Sequence, residues 1–487
     1  MINFKTIGHT LGAIWCLLAL LLGIVSIVGL IISDPAASGI GLSSLITLIS
    51  GAAMWFFCRD SDREIHKREG YLVVSLGWLT VGLFSALPYW MTIDNLPVID
   101  AIFESISGLT TTGATIYTDI ESLPHTILLW RSITQWIGGM GIIVLTVAIF
   151  PLLGIGGVEL FVAESPGPTS NKIHPRIKET AKRLWLIYVS LTVVLIAILK
   201  IEGMSIFDAI NHGMTTIATG GFSTKNASLG HWDVPMIHYT VLIFMFIAGI
   251  NYTLIYYSLK GKFRKVWSSD EFKTYLIATF LLILGITISI HNYGQESWES
   301  SFRDASFQIV SIITTTGFVT ADYTAWHASI TILFFTLLFA GACAGSTSGG
   351  IKFIRHLVFA KNSALEFKRL LHPNSLIRLK IDQKIVAPRI LTHVLVFLLI
   401  YLLFFLVGSI VMTSILSDWE QPLLTGVGSV ATTLGNVGPA IGQVGPMDNF
   451  AAIPPLGKGV LCFLMLIGRL ELFSILILFT PYFWRST

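Results

Sequence analysis

The sequence predicts an all-α integral membrane protein, and three observations support this fold class. Of 487 residues, 53% are hydrophobic and only 12% are charged, and the mean hydropathy is +0.75. A soluble domain carries roughly 25% charged residues. Apolar stretches of about 20 residues, the length that crosses the hydrocarbon core of a bilayer, recur along the chain. A threonine-rich motif that ends in glycine occurs four times, which indicates an internal repeat.

Ten stretches are long and apolar enough to be transmembrane spans. The first is long, lacks a small-residue cleavage site and is followed directly by another span, so we interpret it as a retained span and not as a signal peptide. The predicted spans lie near 10–33, 41–58, 71–91, 126–150, 184–200, 236–259, 274–290, 328–360, 390–416 and 457–480.

Four connections between the spans hold 23 of the 31 Lys and Arg residues. This bias predicts that these connections and both termini face the cytoplasm. Acidic residues concentrate in the opposite connections, where they would attract cations to an outer entrance; alternatively, they have no effect on topology. Basic loops that meet anionic lipid explain the net charge of +3 without nucleic acid. The basic connections are 58–70, 152–183, 260–273 and 352–389.

After two leading spans, the chain divides into four units of similar design. Each unit has a span, a short amphipathic stretch, a threonine-rich turn closed by glycine, and a second span. The short stretches cannot cross a bilayer, so we interpret them as re-entrant helices, at 98–109, 205–216, 302–313 and 421–432. The predicted divisions are 1–69 for the leading spans and 70–182, 183–272, 273–388 and 389–487 for the repeats.

The short stretches carry helix-start signals. Asp100, Asp208 and Asp304 are acids that favour a helix N-terminus, and Pro422 suits a first turn. Each short helix would then begin at the outer surface and point inward. Four C-terminal ends, each with a partial negative charge, would together stabilise a cation at mid-membrane. The alternative is a buried helical hairpin that only packs.

The turns end in glycines, which adopt backbone angles closed to other residues and permit close approach. Irregular backbone at membrane depth is tolerated only where it packs in protein or lines a wet cavity. Rings of backbone carbonyls can replace the water shell of a potassium ion. The four turns end at Gly113, Gly220, Gly317 and Gly435.

Together with these turns, three further segments resemble one family: IATGGFST at 217–224, RSITQWIGGMG at 131–141 and GRLE at 468–471. They are similar to the TrkH/KtrB family of bacterial potassium uptake subunits over essentially the whole chain. The resemblance implies four pseudo-symmetric repeats around one channel-like pore in the inner membrane. It also implies a homodimer, a cytosolic nucleotide-binding regulatory subunit of the TrkA type, and low-affinity potassium uptake driven by the membrane potential.

The resemblance further implies a selectivity filter that binds potassium, with no covalent cofactor. Sodium-preferring plant relatives have serine at the first turn, whereas this chain has glycine in all four, which favours potassium. Ala218 and Leu434 interrupt the threonine pattern, so selectivity would rest on the backbone. The implied filter residues are Thr111, Thr112, Gly113, Ala218, Thr219, Gly220, Thr315, Thr316, Gly317, Thr433, Leu434 and Gly435.

The predicted eighth span contains a run of small residues at 340–350, and each glycine would weaken a helix by about 1 kcal/mol. Close helix packing is one explanation; the resemblance implies instead a loop that obstructs the pore. Arg469 and Glu471 lie inside the predicted last span, where a charge costs at least ~2.5 kcal/mol. Arg469 either faces the pore as an electrostatic barrier or satisfies carbonyls of the broken helix. The predicted gate residues are Gly345, Ser346, Thr347, Gly349, Gly350 and Arg469.

Other functions have weaker support. No phosphate loop, dinucleotide motif or partnered nucleophile indicates an enzyme, and the four cysteines match no metal-ligand spacing. The basic segment 352–389 is either a solvated loop or a docking surface for the regulatory subunit. The second candidate function is a symporter, a secondary transporter coupled to protons or sodium, because such proteins also use repeats with broken helices.

Overall fold

The computed structural model describes residues 2–59, 66–144, 173–294 and 297–485. Most of these residues are helical, so the predicted helical class is confirmed. Two pairs of two-residue strands are also present: Ala340–Gly341 runs parallel to Ile351–Lys352, and Lys380–Ile381 antiparallel to Lys384–Ile385. The helices are Phe4–Ile31, Ala37–Phe57, Lys67–Thr92, Val98–Leu109, His125–Val144, Ile173–Ile201, Ile206–Ile217, Ser228–His231, Pro235–Ala248, Tyr252–Leu259, Phe263–Trp267, Asp270–Gly294, Trp298–Ile313, Ala328–Leu337, Phe353–Leu371, Pro388–Ile415, Pro422–Gly435, Pro455–Arg469, Phe473–Leu476, Ile477–Phe479 and Pro481–Trp484.

Among the described residues, six helices are long and apolar enough to cross a membrane, or up to eight if each of two bent pairs forms one span. The six coincide with the first, second, third, fifth, seventh and ninth predicted spans. The fourth is a helix, His125–Val144, and the end of the predicted stretch lies outside the described residues, as does most of the connection 152–183.

Three predicted spans are not continuous helices. The sixth bends by 105° between Pro235–Ala248 and Tyr252–Leu259, and the tenth bends by 106° after Arg469. The eighth is divided into Ala328–Leu337 and Phe353–Leu371. The expectation that Arg469 and Glu471 share one helix was therefore wrong: the helix ends at Arg469, and Glu471 has φ of 56°.

The short helices agree with the predicted short stretches, except at the start of the third and at the end of the fourth, which extends to Gly435. The first begins at Val98, the second at Ile206 and the fourth at Pro422. The third begins earlier than predicted, at Trp298, because Ser297 caps it by accepting a hydrogen bond from the Ser300 amide. Asp304 therefore lies within that helix and does not mark its start.

The core of the molecule surrounds the C-terminal halves of the short helices. Every residue from Phe103 to Leu109, and every one from Asn211 to Ile217, is buried. By contrast, the leading helices expose rows of leucine and isoleucine, such as Leu17 and Leu20, to the outside. The polar turns that follow the short helices are thus enclosed by protein.

Candidate functional site

A turn of one backbone shape follows each short helix. A residue with left-handed φ between 53° and 54° is followed two positions later by a glycine with φ between 78° and 104°. Glycine tolerates such angles without steric cost. The left-handed residues are Thr111, Thr219, Thr315 and Asn436, and the glycines are Gly113, Gly221, Gly317 and Gly438.

The hydrogen bonds of the four turns are also equivalent. In the first turn, the Thr111 amide bonds to the Gly108 carbonyl three residues back, and the Thr112 amide to Ser107 five residues back. The same two bonds end each of the other short helices. In each of them, the amide of the left-handed residue bonds to the carbonyl three residues back. The amide of the next residue, which is Gly220, Thr316 or Val437, bonds to the carbonyl five residues back.

This geometry revises the repeat alignment drawn from the sequence. The structural equivalent of Gly113 is Gly221 in the second turn, not Gly220, and Gly438 in the fourth, not Gly435. Thr433, Leu434 and Gly435 belong to the last turn of the fourth short helix. We call residues 110–113, 218–221, 314–317 and 435–438 the first to fourth turn.

Close packing of spans on the short helices supports the new alignment. A Cβ atom at Gly138 would overlap the carbonyl oxygen of Leu109, and one at Gly468 would overlap that of Leu434. Leu109 and Leu434 each directly precede their turn, so the two contacts are equivalent under the revised alignment.

The four turns contact one another in a closed sequence. A Cβ atom at Gly113 would overlap the carbonyl oxygen of Gly220, and one at Gly221 that of Thr316. A Cβ atom at Gly317 would overlap the Val437 carbonyl oxygen, and one at Gly438 would lie 2.6 Å from the Thr112 carbonyl oxygen. This last contact joins the fourth turn to the first. The glycines are therefore required for close approach. We call the carbonyls of Thr112, Gly220, Thr316 and Val437 the carbonyl ring.

Opposite turns in this sequence are alike. In the first turn the hydroxyls of Thr110 and Thr112 are 2.7 Å apart, and in the third those of Thr314 and Thr316 are also 2.7 Å apart. The second and fourth turns lack both threonines. Ala218 and Gly220 stand at these positions in the second turn, and Gly435 and Val437 in the fourth.

A cavity opens on the glycine side of the turns. Its lining includes all four positive-φ glycines, together with Arg131, Lys225 and Asp448. The opposite side of the turns is covered by the glycine-rich loop (residues 342–350), which connects the strands Ala340–Gly341 and Ile351–Lys352. The turns thus lie between a cavity and a loop.

The loop contacts the second, third and fourth turns or the ends of the short helices that precede them. The Thr347 hydroxyl lies 3.2 Å from the Ile217 carbonyl at the end of the second short helix. The Gly349 amide donates to the Thr315 hydroxyl at 2.7 Å. A Cβ atom at Gly349 would lie 2.7 Å from the carbonyl oxygen of Gly435. The sequence break was therefore correctly predicted, and the loop is held against the turns.

Two buried cations hold the loop. Arg469 is 2% exposed and donates to the Thr347 carbonyl at 2.9 Å and to the Gly138 carbonyl at 3.2 Å. Lys352 bonds to the Ser348 carbonyl and, at 3.0 Å, to its hydroxyl. Of the two hypotheses for Arg469, these bonds favour the one in which it satisfies carbonyls of the broken segment. Glu471 has a different partner, Arg355, at 2.5 Å.

The loop is also anchored at its flanks. The Glu271 carboxylate accepts from the Ala344 amide at 2.7 Å and from the Ile354 amide at 3.1 Å, so it joins the loop to the helix that follows it. The Asn251 side chain, at the bend of the sixth span, donates to the Ala344 carbonyl at 2.6 Å. The bend and the loop are therefore one structural unit.

Sequence reasoning did not identify two buried polar groups behind the turns. Glu104 and Arg131 form an ion pair at 2.8 Å, and Arg131 also donates to the Ser223 carbonyl at 3.0 Å. Gln135 bonds to Gly220 of the second turn and to Phe222 directly after it, through the two polar atoms of its amide. Arg131 and Gln135 lie in the segment 131–141, which carries the family resemblance. Polar residues inside a predicted apolar span are expected to face protein or water, and this could have indicated their role.

Within the described ranges, no group of three or more His, Cys, Asp or Glu side chains is placed to hold a metal ion. Oxygen atoms in the turns are a different type of ligand. Backbone carbonyls and hydroxyls can coordinate a weakly held monovalent cation without any carboxylate.

Comparisons with known proteins agree over the whole length of the chain. A family model described as TrkH, cation transport protein, matches residues 38–282 and 276–486. The Trk system potassium uptake protein TrkH of Escherichia coli (strain K12) is 42% identical over 490 residues, which cover 99% of this chain and 100% of that protein. The Trk system potassium uptake protein TrkH of Vibrio parahaemolyticus is 39% identical with the same coverage.

A solved structure has the same fold. The crystal structure of the potassium transporter TrkH from Vibrio parahaemolyticus matches with a TM-score of 0.91 and 37% identity, covering 99% of this chain and 100% of that one. With at least six apolar helices of spanning length, the chain is a multi-pass membrane protein. The prediction that it is not an enzyme is confirmed, since its relatives are transporters. The chain belongs to the TrkH family of cation transport proteins.

Proposed function

We propose that this protein conducts potassium into the bacterial cytoplasm through one pore, formed by four pseudo-symmetric repeats of a single chain. The observation that carries the proposal is the closed sequence of contacts between the four turns, in which each positive-φ glycine packs on a carbonyl of the next turn. Such a ring offers a cation four backbone oxygens at one level. The relatives named potassium uptake proteins support potassium as the ion.

The proposed filter keeps the predicted residues of the first and third turns. In the second it extends to Gly221, and in the fourth it consists of Asn436, Val437 and Gly438. The Thr111 hydroxyl is buried without a hydrogen-bond partner among the described residues, so it is free to coordinate an ion. The helix ends behind the turns add a partial negative charge.

The glycine-rich loop is proposed as the gate. It lies across the turns on the side opposite the cavity, where Arg469 and Lys352 hold it by hydrogen bonds. Inward flow through the open pore would be driven by the membrane potential, at ~2.3 kcal/mol per charge for each 100 mV. The family resemblance supports a homodimer in the inner membrane, with a TrkA-type regulatory subunit on the basic segment 352–389.

The proposal is tested by ion flux into liposomes that contain the purified protein or its Gly113→Ser variant. A side chain at Gly113 is strained at φ of 84° and overlaps the Gly220 carbonyl, so we expect the preference for potassium over sodium to be lost. Gly459→Ser is the matched control, because a Cβ atom there meets nothing within 4 Å. An unchanged ion preference in Gly113→Ser would refute the filter.

The same liposomes separate a pore from a coupled transporter. A pore conducts down the potassium gradient at a rate far above alternating-access turnover, and no other ion is required. A fixed stoichiometry with protons or sodium would instead support the second candidate function.

A further inference from the structure

The second turn differs from the others in having two consecutive glycines, Gly220 and Gly221. In the first and third turns the position of Gly220 is a threonine, whose hydroxyl bonds to another threonine of the same turn at 2.7 Å. Glycine has the largest conformational freedom of all residues. By its own sequence, the second turn would therefore be the least constrained part of the carbonyl ring.

Gln135 occupies the space that a threonine fills elsewhere. A Cβ atom at Gly220 would overlap the amide group of Gln135, so glycine is required at 220 for this side chain to fit. Gln135 is fully buried and belongs to helix His125–Val144, the second span of the first repeat. The constraint on the second turn is thus supplied by the neighbouring repeat.

Both halves of the Gln135 amide are used. Its Nε2 donates to the Gly220 carbonyl at 2.5 Å, and its Oε1 accepts from the Phe222 amide at 3.1 Å. The two bonds hold the backbone on both sides of Gly221, whose φ is 78°. The Gly220 carbonyl belongs to the carbonyl ring, and a carbonyl oxygen has two lone pairs. One is engaged by Gln135 and the other remains for an ion.

We propose that Gln135 is a positioning residue that determines ion specificity: its amide replaces the missing threonine pair and fixes the Gly220 carbonyl in the ring. This inference rests on the proposed function, since it assumes that the ring is the filter. It adds a side chain from outside the four turns to the determinants of selectivity.

The test measures the potassium-to-sodium permeability ratio in liposomes for Gln135→Ala and Gln135→Glu. Loss of one buried hydrogen-bond donor should lower the ratio roughly three- to tenfold. The ionised glutamate variant keeps an acceptor for Phe222, loses the donor to Gly220 and adds a negative charge beside the ring, so its effect on the ratio is compared with that of the uncharged alanine variant. It also serves if the alanine variant does not fold. Gln308→Ala is the matched control, because Gln308 is equally buried and bonds to Thr320 outside the turns.

A second-site variant makes the test specific. Gly220→Thr alone should lower the ratio, because the new side chain overlaps Gln135; Gly220→Thr with Gln135→Ala should recover part of the loss. A ratio within twofold of wild type in both Gln135 variants overturns the inference, and so does an equal loss in Gln308→Ala. Gly221→Ala distinguishes failure of this inference from failure of the proposed filter. If Gly221→Ala also leaves the permeability ratio unchanged, the filter assignment itself is wrong.

Discussion

At the scale of single residues, the turns depend on buried polar groups that come from other segments. Glu104 lies in the first short helix and accepts from the Ile116 amide at 3.0 Å as well as from Arg131. Arg131 reaches the Ser223 carbonyl after the second turn. The ion pair therefore holds the backbone that follows the first turn and the backbone that follows the second. In a setting with little water, a buried charge is tolerated only when it is paired and hydrogen-bonded.

Removing one member of this pair should destabilise the protein strongly. Arg131→Met leaves the Glu104 charge buried and unpaired, which costs about 3–5 kcal/mol. The double variant Glu104→Gln/Arg131→Met should lose much less, because no charge is left alone. Denaturant unfolding in detergent measures both losses.

The control for this prediction is Arg183→Met. The Arg183–Glu179 pair is exposed, and such pairs contribute about 0–1 kcal/mol. Losses in Glu104→Gln and Arg131→Met that simply add in the double variant would show that the two side chains are not coupled.

At the scale of elements, the glycine-rich loop is a short irregular segment with many specific bonds. Arg469 attaches it to helix Pro455–Arg469, Asn251 to the bend of the sixth predicted span, and Glu271 to helix Asp270–Gly294. A helix through residues 342–350 would place no backbone donors or acceptors toward these side chains. The unwound segment can bond to these side chains, because its backbone carbonyls and amides are not used in helical hydrogen bonds.

Arg469 has two possible actions, a tether and a charge, and two substitutions separate them. Arg469→Ala removes both, so we expect potassium flux without any regulator to rise. Arg469→Gln retains a donor for the Thr347 carbonyl but carries no charge. Flux near the wild-type level in Arg469→Gln would identify the hydrogen bond as the restraint, and flux near that of Arg469→Ala would identify the charge.

This prediction is checked in liposomes of the purified protein. Arg303→Ala is the control, since Arg303 is a charged residue of the third short helix whose partners, Glu299 and Asp304, belong to the same helix. A wild-type flux in Arg469→Ala would mean that the loop remains in place without the arginine.

At the scale of the whole molecule, the cavity and the loop lie on opposite sides of the turns, which gives the proposed pore two distinct ends. The Lys and Arg distribution predicts that the loop end is cytoplasmic. We expect a cysteine at Asp448, in the cavity lining, to react with a membrane-impermeant maleimide added outside intact cells. A cysteine at Ser375 should react only after the cells are opened.

The native cysteines are first replaced for this experiment, since Cys16, Cys58, Cys343 and Cys462 are free thiols. Labelling of Ser375→Cys in intact cells would reverse the predicted orientation, and with it the expected cytoplasmic position of both termini.

Much of this architecture could be predicted from the sequence, for reasons that particular residues make clear. Asp100, Asp208 and Pro422 marked three of the four short helices because helix starts depend on local chemistry. Alignment by the first glycine after each threonine-rich run failed at Gly220, because a second glycine follows it. It failed at Gly435 because the left-handed angle falls on Asn436, which gives no local signal as strong as glycine. Bends at 249–251 and after Arg469 were missed because apolar windows average across them.

The contacts of Gln135 and Arg131 could not be predicted, since they join segments 85 and 92 residues apart. Their positions in a motif showed that they mattered, but only the packing of one repeat on the next showed what they bind.

One bond described above links the loop to the turns in a further way. In the structure, the Thr315 hydroxyl accepts a hydrogen bond from the Gly349 amide, whereas its counterpart Thr111 has no partner among the described residues. If the loop withdraws, Thr315 loses this donor and comes to resemble Thr111, and the two opposite turns become equivalent. Withdrawal of the loop would then also free a further lone pair of the Thr315 hydroxyl for the ion, so that opening and coordination would change in the same step.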